Sequence, residues 1–403
     1  MEESGKNIVI LGAGYGGVTA ALRLARLFRD SSSYRILLID KNPFHTLKTR
    51  LHEAAVHNRE VTIDIGRIIR HRKIGFHLGT VISIDPSGNT VALDDKTLRF
   101  EYLLIALGSQ VNFYNIPGLQ AFAFPLQSAS DAEKIFKHIA GICARASSEP
   151  DVSKRRTMLR FVIGGGGLTG VEFVGELVDH VQQMIENYGI ADDDVDIVLV
   201  EASDRILPSL DIALRERIEQ RLRKKKVKVL TKNPVASVNG ESVTLVGGEI
   251  LRTNTVVWTG GIRIADIVTN SGISTGSMGK IVVDAFLRSV DHPHVFAIGD
   301  NALAMNPVTK RPVPAAAQFA LQQGRLVAEN IHADVTSGKL QVYAPKVLGE
   351  VVSLGRHLAA GWVALPWLSK FKFVGFLASL LKAAIAEKHI LLLRKESRNW
   401  ITY

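Results

Sequence analysis

The feature that most constrains this chain is a pattern that occurs twice. Ile8-Val9-Ile10-Leu11 is a short apolar run, Gly12-Ala13-Gly14-Tyr15-Gly16-Gly17 follows, and Val18, Ala21, Leu22, Leu24, Ala25 and Leu27 then recur at helical spacing. Ile36-Leu37-Leu38-Ile39 is a second apolar run, closed by Asp40. Short continuous apolar runs suit buried parallel strands, and the spacing between them suits an amphipathic helix. The same order returns with Leu159 to Ile163, the glycine turn 164–170, a helix over 171–187, and Ile197-Val198-Leu199-Val200 closed by Glu201. The two copies lie 153 residues apart, from Gly12 to Gly165. That period is far too long for a solenoid. The pattern predicts an α/β fold with two tandem Rossmann-like dinucleotide-binding domains.

Gly12, Gly14 and Gly17 make a GxGxxG set, which alone is a weak signal. Here it lies between a strand and a helix, with an acid closing the next strand, and that context makes it a dinucleotide fingerprint. The first glycine permits the tight turn. The second lets backbone approach a pyrophosphate at the helix N-terminus, and Asp40 would accept hydrogen bonds from a ribose. In the second copy Gly165, Gly167 and Gly170 take these places, with Glu201 as the strand-end acid. Four consecutive glycines, 164–167, leave the register open by one residue. The register ending in Gly170 aligns Thr169-Gly170-Val171-Glu172. A carboxylate at Glu201 favours a free ribose hydroxyl and repels a 2′-phosphate, so NADH is expected over NADPH.

Composition narrows the chemistry. With 403 residues and 46% apolar side chains the chain can build a sizeable core. Its one cysteine, Cys143, excludes an internal disulfide, a CxxC pair and a catalytic dithiol within one chain. The N-terminus lacks the pattern of a signal peptide, and no run of 18 apolar residues predicts a spanning helix. His45, His52, His57 and His71 form no metal-ligand spacing, so no metal is expected and solvated or core histidines are the reading. The net charge is +10, and residues 366–403 carry seven Lys/Arg against two acids. Those basic residues lie among Phe, Trp and Leu, which suits an anionic bilayer surface better than nucleic acid.

The ordered set GAGYGG, LLIALGS, GGGLTGVEFVGEL, VVWTGG and VFAIGD resembles the flavoproteins with two dinucleotide-binding domains, of glutathione-reductase-like fold. The resemblance covers residues 7–330. It implies FAD on the first fingerprint, with Asp300 on the ribityl chain, Val81 beside the adenine, and Gly108 and Gly260 at the cofactors. Members that use redox cysteines need more than one. Ala315-Ala-Ala-Gln-Phe-Ala-Leu-Gln-Gln-Gly324 is similar to the AQxAxQxG segment of the type II NADH:quinone oxidoreductases, and Gly349 to Arg356 with the basic tail resembles their C-terminal region.

That resemblance implies a peripheral enzyme on the cytoplasmic side of the cell membrane, passing a hydride from NADH to FAD and two electrons to a membrane quinone, without proton pumping. It implies catalytic roles for Glu172 and Gln318, flavin contacts from Thr49 and Ala317, and a quinone site of Gln318, Gln322, Lys382 and Ile385. The expected division is residues 1–115 with 281–335 for FAD, 116–280 for NADH, and 336–403 for membrane and quinone. A helix from Trp367 onward would set Trp367, Phe371, Val374, Ala378, Leu381 and Ile385 on one face. The rival use of such a face is a buried helix or a homodimer contact. The rival functions are a soluble flavin-dependent NADH oxidase or reductase with another acceptor, and a non-catalytic FAD/NAD-binding redox sensor.

Overall fold

This computed structural model describes residues 6–355, 358–365 and 368–397. β1 (Lys6–Leu11) enters the first glycine turn, followed by α1 (Tyr15–Leu27) and β2 (Tyr34–Asp40). α2 (Leu51–His57), β3 (Ile74–Leu78) and β4 (Tyr102–Ile105) come next. β1 pairs in parallel with β2 on one side and β4 on the other, with Ile8 opposite Ile36 and Tyr102. Ile8, Val9, Ile10 and Leu11 are all buried, as expected for a strand covered on both faces.

The second unit begins with β5 (Phe124–Pro125) and α3 (Ala129–Ser147). It continues through β6 (Arg160–Gly164), α4 (Leu168–Tyr188), β7 (Asp196–Val200), α5 (Ile212–Lys224), β8 (Lys228–Leu230) and β9 (Thr255–Trp258). Its parallel sheet has the order β5-β9-β6-β7-β8. β10 (Val295–Ala297) then returns to the first sheet beside β4, completing the order β10-β4-β1-β2-β3. Strand order reverses beside β1 in one sheet and beside β6 in the other. Those switch points, where the glycine turns lie, are where open α/β sheets bind ligands. α6 (Ala317–Val335) crosses α1 so closely that a Cβ on Gly324 would collide with the Gly16 carbonyl oxygen.

Beyond α6 come β11 (Gly349–Ser353), β12 (Ala359–Leu365) and β13 (Leu368–Gly375), joined as an antiparallel sheet, and then α7 (Phe376–Ser397). The expectation of a helix from Trp367 onward is therefore corrected over 368–375; Trp367 itself lies outside the described residues. The stretch Lys370-Phe371-Lys372-Phe373-Val374 alternates with period two, and an existing strand edge captures it. Lys372 sits opposite Trp362 and Phe371 opposite Val363. Phe371 and Val374, one face in a helix, thus belong to opposite faces of a sheet.

The tail sheet rests on α5. Ser209 Oγ donates to Glu350 at 2.5 Å, Lys372 pairs with Asp211 at 3.1 Å, and Lys225 Nζ donates to the Leu354 carbonyl at 2.9 Å. The tail is not the only basic segment: residues 211–232 carry nine Lys/Arg and three acids. Among the described residues no helix is long and apolar enough to cross a membrane.

Candidate functional site

The two glycine turns have the same construction. Gly12 and Gly165 adopt φ of +100° and +109°, a region open to glycine. A Cβ on Gly17 would collide with the Gly12 carbonyl oxygen, and one on Gly170 with that of Gly165. Gly14 and Gly167 are the N-caps of α1 and α4, and a Cβ on either would meet no atom within 4 Å. This geometry sets the register of the four consecutive glycines at Gly165, Gly167 and Gly170. Both helices start without a side-chain cap or an acid in the first turn, so their N–H groups and positive dipole ends face open space. An open glycine before an uncapped helix fits a pyrophosphate.

The strand-end acids brace these turns. Asp40 accepts from Ala13 N at 2.7 Å and Asn42 N at 2.8 Å. Glu201 accepts from Gly166 N at 2.6 Å and from Ser203 N and Oγ at 2.7 Å each. A carboxylate has about four acceptor directions, so each acid keeps capacity for a ribose hydroxyl.

Around the first turn the chain adds more. Gly108 N donates to Asn301 Oδ1 at 2.8 Å and Asn301 Nδ2 returns a bond to Gly108 O at 3.0 Å, which sets Asp300 beside the segment after β4; Ser109 Oγ donates to Asp300 at 2.7 Å. Tyr15 and Thr49 share a hydroxyl–hydroxyl bond of 2.9 Å. Val81 is buried at the head of the strand Val81–Asp85. Ala317 opens α6, whose start also has neither side-chain cap nor acid. In the second unit Gly260 abuts Gly165, and a Cβ there would meet the Trp258 ring. These residues fit FAD at the first turn and NADH at the second.

Between the two units lies a buried charged junction. Glu172 Oε1, on α4, accepts from Lys382 Nζ of α7 at 2.6 Å and from Ser353 N of β11 at 3.1 Å. His52 of α2 lies 3.6 Å from Glu172 Oε2, and its Nε2 is 3.2 Å from Lys382 Nζ. One turn further along α4, Glu176 bonds Ser353 Oγ at 2.8 Å and His57 Nε2 at 3.1 Å. Burial raises the Glu172 carboxyl, but Lys382, His52 and the Ser353 N–H together hold it below its ordinary range. Burial likewise opposes ionisation of Glu176, yet its bonds to His57 and Ser353 bring it down to about 2. Burial depresses His52, against the pull of Glu172. Four elements from both units and the tail converge here.

Other expected positions fall differently. The resemblance puts Gln318 and Gln322 in the quinone site. The structure spends both amides on backbone: Gln318 bonds Leu348 N and Gly349 O at 3.0 and 3.1 Å, and Gln322 bonds Lys346 N and O at 2.9 and 2.8 Å. They hold the strand leading into β11 along α6, because an extended segment presents unpaired backbone groups that must be satisfied. Lys382, placed by the resemblance in the quinone site, is ion-paired inside the junction. The Ile385 side chain lies outside the described residues. Ser353 and His389 carry no expected role, while His52 and His45, read as solvated or core histidines, are buried with polar partners: His52 in the junction, and His45 Nε2 against His389 Nε2 at 3.1 Å. Their partners lie from 120 residues away (His52 to Glu172) to 344 (His45 to His389), so no local pattern marks them. Among the described residues no cluster of His, Cys, Asp or Glu could hold a metal ion.

The fold and paired cradles define a pyridine-nucleotide flavoprotein, and the chain belongs to the pyridine nucleotide-disulphide oxidoreductase family, whose sequence model matches residues 6–324. Within it, the chain groups with the type II NADH:quinone oxidoreductases. That of Staphylococcus aureus (strain NCTC 8325) is 30% identical over 371 residues, spanning 90% of this chain and 91% of that protein. That of Staphylococcus saprophyticus is 29% identical over 369 residues, with the same coverage. In fold, the chain is similar to NDH2 from Plasmodium falciparum solved in complex with NADH (TM-score 0.84, 18% identity, 98% of each chain). It is also similar to the sulfide:quinone oxidoreductase of Aquifex aeolicus (TM-score 0.79, 19% identity, 97% of this chain and 92% of that one).

Proposed function

We propose that this protein oxidises NADH and reduces a quinone, the activity for which its relatives are named. Bound FAD supplies a two-electron carrier between nicotinamide and quinone. The observation that carries the reading is the junction. The chain has one cysteine, buried in α3, so no dithiol stands between the units. Instead the tail reaches in, through Lys382, to the helix that starts the NADH cradle.

The chain's own groups divide the work. The α1 N-terminus with Gly12, Gly14 and Gly17 holds the FAD pyrophosphate, and Asp40 its ribose. Gly165, Gly167, Gly170 and Glu201 do the same for NADH. Glu172 accepts or yields a proton as the quinone is reduced, with Lys382 and His52 holding it in place. Gln318 and Gln322 are positioning residues that fix the segment entering the tail sheet. Residues 1–115 with 281–335 form the FAD domain, 116–280 the NADH domain and 336–403 the membrane and quinone region.

The tail supports attachment to the cytoplasmic face of a membrane. Phe371, Phe376, Leu377 and Leu380 are all more than half exposed, with Lys370 and Lys372 alongside. Each basic residue near an anionic surface contributes about 1 kcal/mol. Replacing Phe376, Leu377 and Leu380 by serine leaves the junction intact and should cut co-sedimentation with anionic vesicles. Equal binding would reassign this face to a homodimer, read by sedimentation velocity.

The deciding experiment is the visible spectrum of the purified protein. NADH should bleach it and a quinone should restore it. Recovery in air without quinone would favour an NADH oxidase, and no bleaching would favour a redox sensor.

A further inference from the structure

Lys48 lies beside the first cradle. It opens the single turn Lys48–Arg50 after the strand Phe44–Thr46. Its nitrogen lies 4.0 Å from where a methyl on Gly108 would be. Gly108 is the residue fixed by Asn301, and the next residue, Ser109, holds Asp300. Thr49, the other neighbour, is bonded to Tyr15 on α1.

Two properties of this lysine point the same way. Its side chain is accessible, yet its ammonium is strongly desolvated. An exposed residue whose ammonium lies beside Gly108 borders the open side of the first cradle. Among the described residues it has no hydrogen-bond or ion-pair partner. Burial lowers it from the ordinary lysine range, helped by the charge of Lys41, and the charges of Asp300 and Asp40 oppose that. An ammonium beside an open cradle and without a protein partner is free to pair with the ligand.

The first cradle is the one for FAD, and its two ends are marked. Asp40 and the open Gly14 mark the ribose and pyrophosphate end, and Asp300 marks the other. Lys48 lies against Gly108, whose neighbour Ser109 bonds Asp300, so it belongs to the Asp300 end. The part of FAD that gains negative charge on two-electron reduction is the ring. We propose that Lys48 is a flavin-binding cation that touches the ring of FAD and favours its reduced form. The proposal rests on FAD filling the first cradle. It predicts that this site makes NADH a more effective reductant of the bound flavin, because a fixed positive charge stabilises the charge that reduction adds.

The test compares full-length holoprotein with Lys48→Met and Lys48→Arg. The bound flavin is equilibrated with a reference dye of known potential, and FAD release is followed by its fluorescence. Lys48→Met should lower the reduced-to-oxidised ratio at least about tenfold, roughly 30 mV for a two-electron couple. FAD should remain bound, and Lys48→Arg should keep most of the potential. An unchanged potential with faster FAD release would put the ammonium on the pyrophosphate and overturn the proposal. No change in either would make Lys48 a surface cation, which also overturns it. Should the methionine variant not fold, Lys48→Gln takes its place with the same outcomes. Wild-type protein purified without flavin would instead overturn the FAD reading itself.

Discussion

The two glycine turns are nearly identical in backbone, and everything built on them differs. Around the first, α6 crosses α1 at Gly16 and Gly324, and Tyr15 packs edge-on against His45 and at a tilt against His389, with ring centroids 5.1 and 4.5 Å away. The residue matching Tyr15 in the second turn is Leu168, which is 38% exposed. Down the helices, Thr19 and Arg23 match Glu172 and Glu176. Thr19 bonds the Tyr15 carbonyl within α1, and Arg23 pairs with Glu329 of α6. Glu172 and Glu176 instead reach α2, α7, β11 and His57. The same local device thus meets different surroundings, α6 and the His45–His389 pair at the first turn and the charged junction beyond the second, and the later chain decides which.

The most severe way to break the comparison is to substitute its matching glycines. At Gly12 and Gly165 alanine meets a left-handed backbone and a main-chain collision, a strain of at least about 1–2 kcal/mol at the binding turn. Gly12→Ala should purify without flavin. Gly165→Ala should purify yellow and fail to bleach with NADH. Loss of flavin from both variants would show that the cradles are not independent.

Next in size is the junction. Glu172→Gln leaves Lys382 buried without its anion, a cost of about 3–5 kcal/mol in comparable pairs. Adding Lys382→Met should recover part of that in a double-mutant cycle followed by thermal unfolding. In rapid-mixing experiments Glu172→Gln should slow reoxidation by quinone more than reduction by NADH. Equal rates in both half-reactions would leave Glu172 a structural acid.

Glu176 gives a pH window. Its carboxyl is near 2 when folded against 4.5 ordinarily, so the unfolded chain takes up the proton first. The stability it contributes is present above about pH 4.5 and is lost as pH falls toward 2. By linkage this is about 3 kcal/mol. Glu176→Gln should therefore lose less stability than wild type between pH 5 and 2 in urea titrations. Parallel loss would mean the bonds to His57 and Ser353 contribute little.

The smallest effect concerns nucleotide choice. Glu201→Ala removes one charge-assisted bond to a ribose, worth roughly 1.5–3 kcal/mol or ten- to a hundredfold in NADH KM. The preference over NADPH should narrow, while flavin content stays the same. Unchanged discrimination would leave Glu201 as a brace for Gly166 alone.

What the sequence by itself determined is what a few consecutive residues can enforce. Apolar runs set β1, β2, β6 and β7. Positive φ at Gly12 and Gly165, and the clearance at Gly14 and Gly167, follow from having no side chain there. The strand-end acids bond backbone 27 and 35 residues away, within one strand–helix–strand unit. Tertiary structure decided the rest. The period-two run at 370–374 reads equally as part of an amphipathic helix until β12 offers an edge to pair with. Gln318 and Gln322 read as quinone-site residues until the backbone of 346–349 takes their amides. Glu172 finds Lys382 210 residues away and Ser353 181 away, and it lies beside His52 from the other unit. A buried charge is tolerated only where folding delivers its partners, and nothing in a local stretch of sequence records which partners those will be.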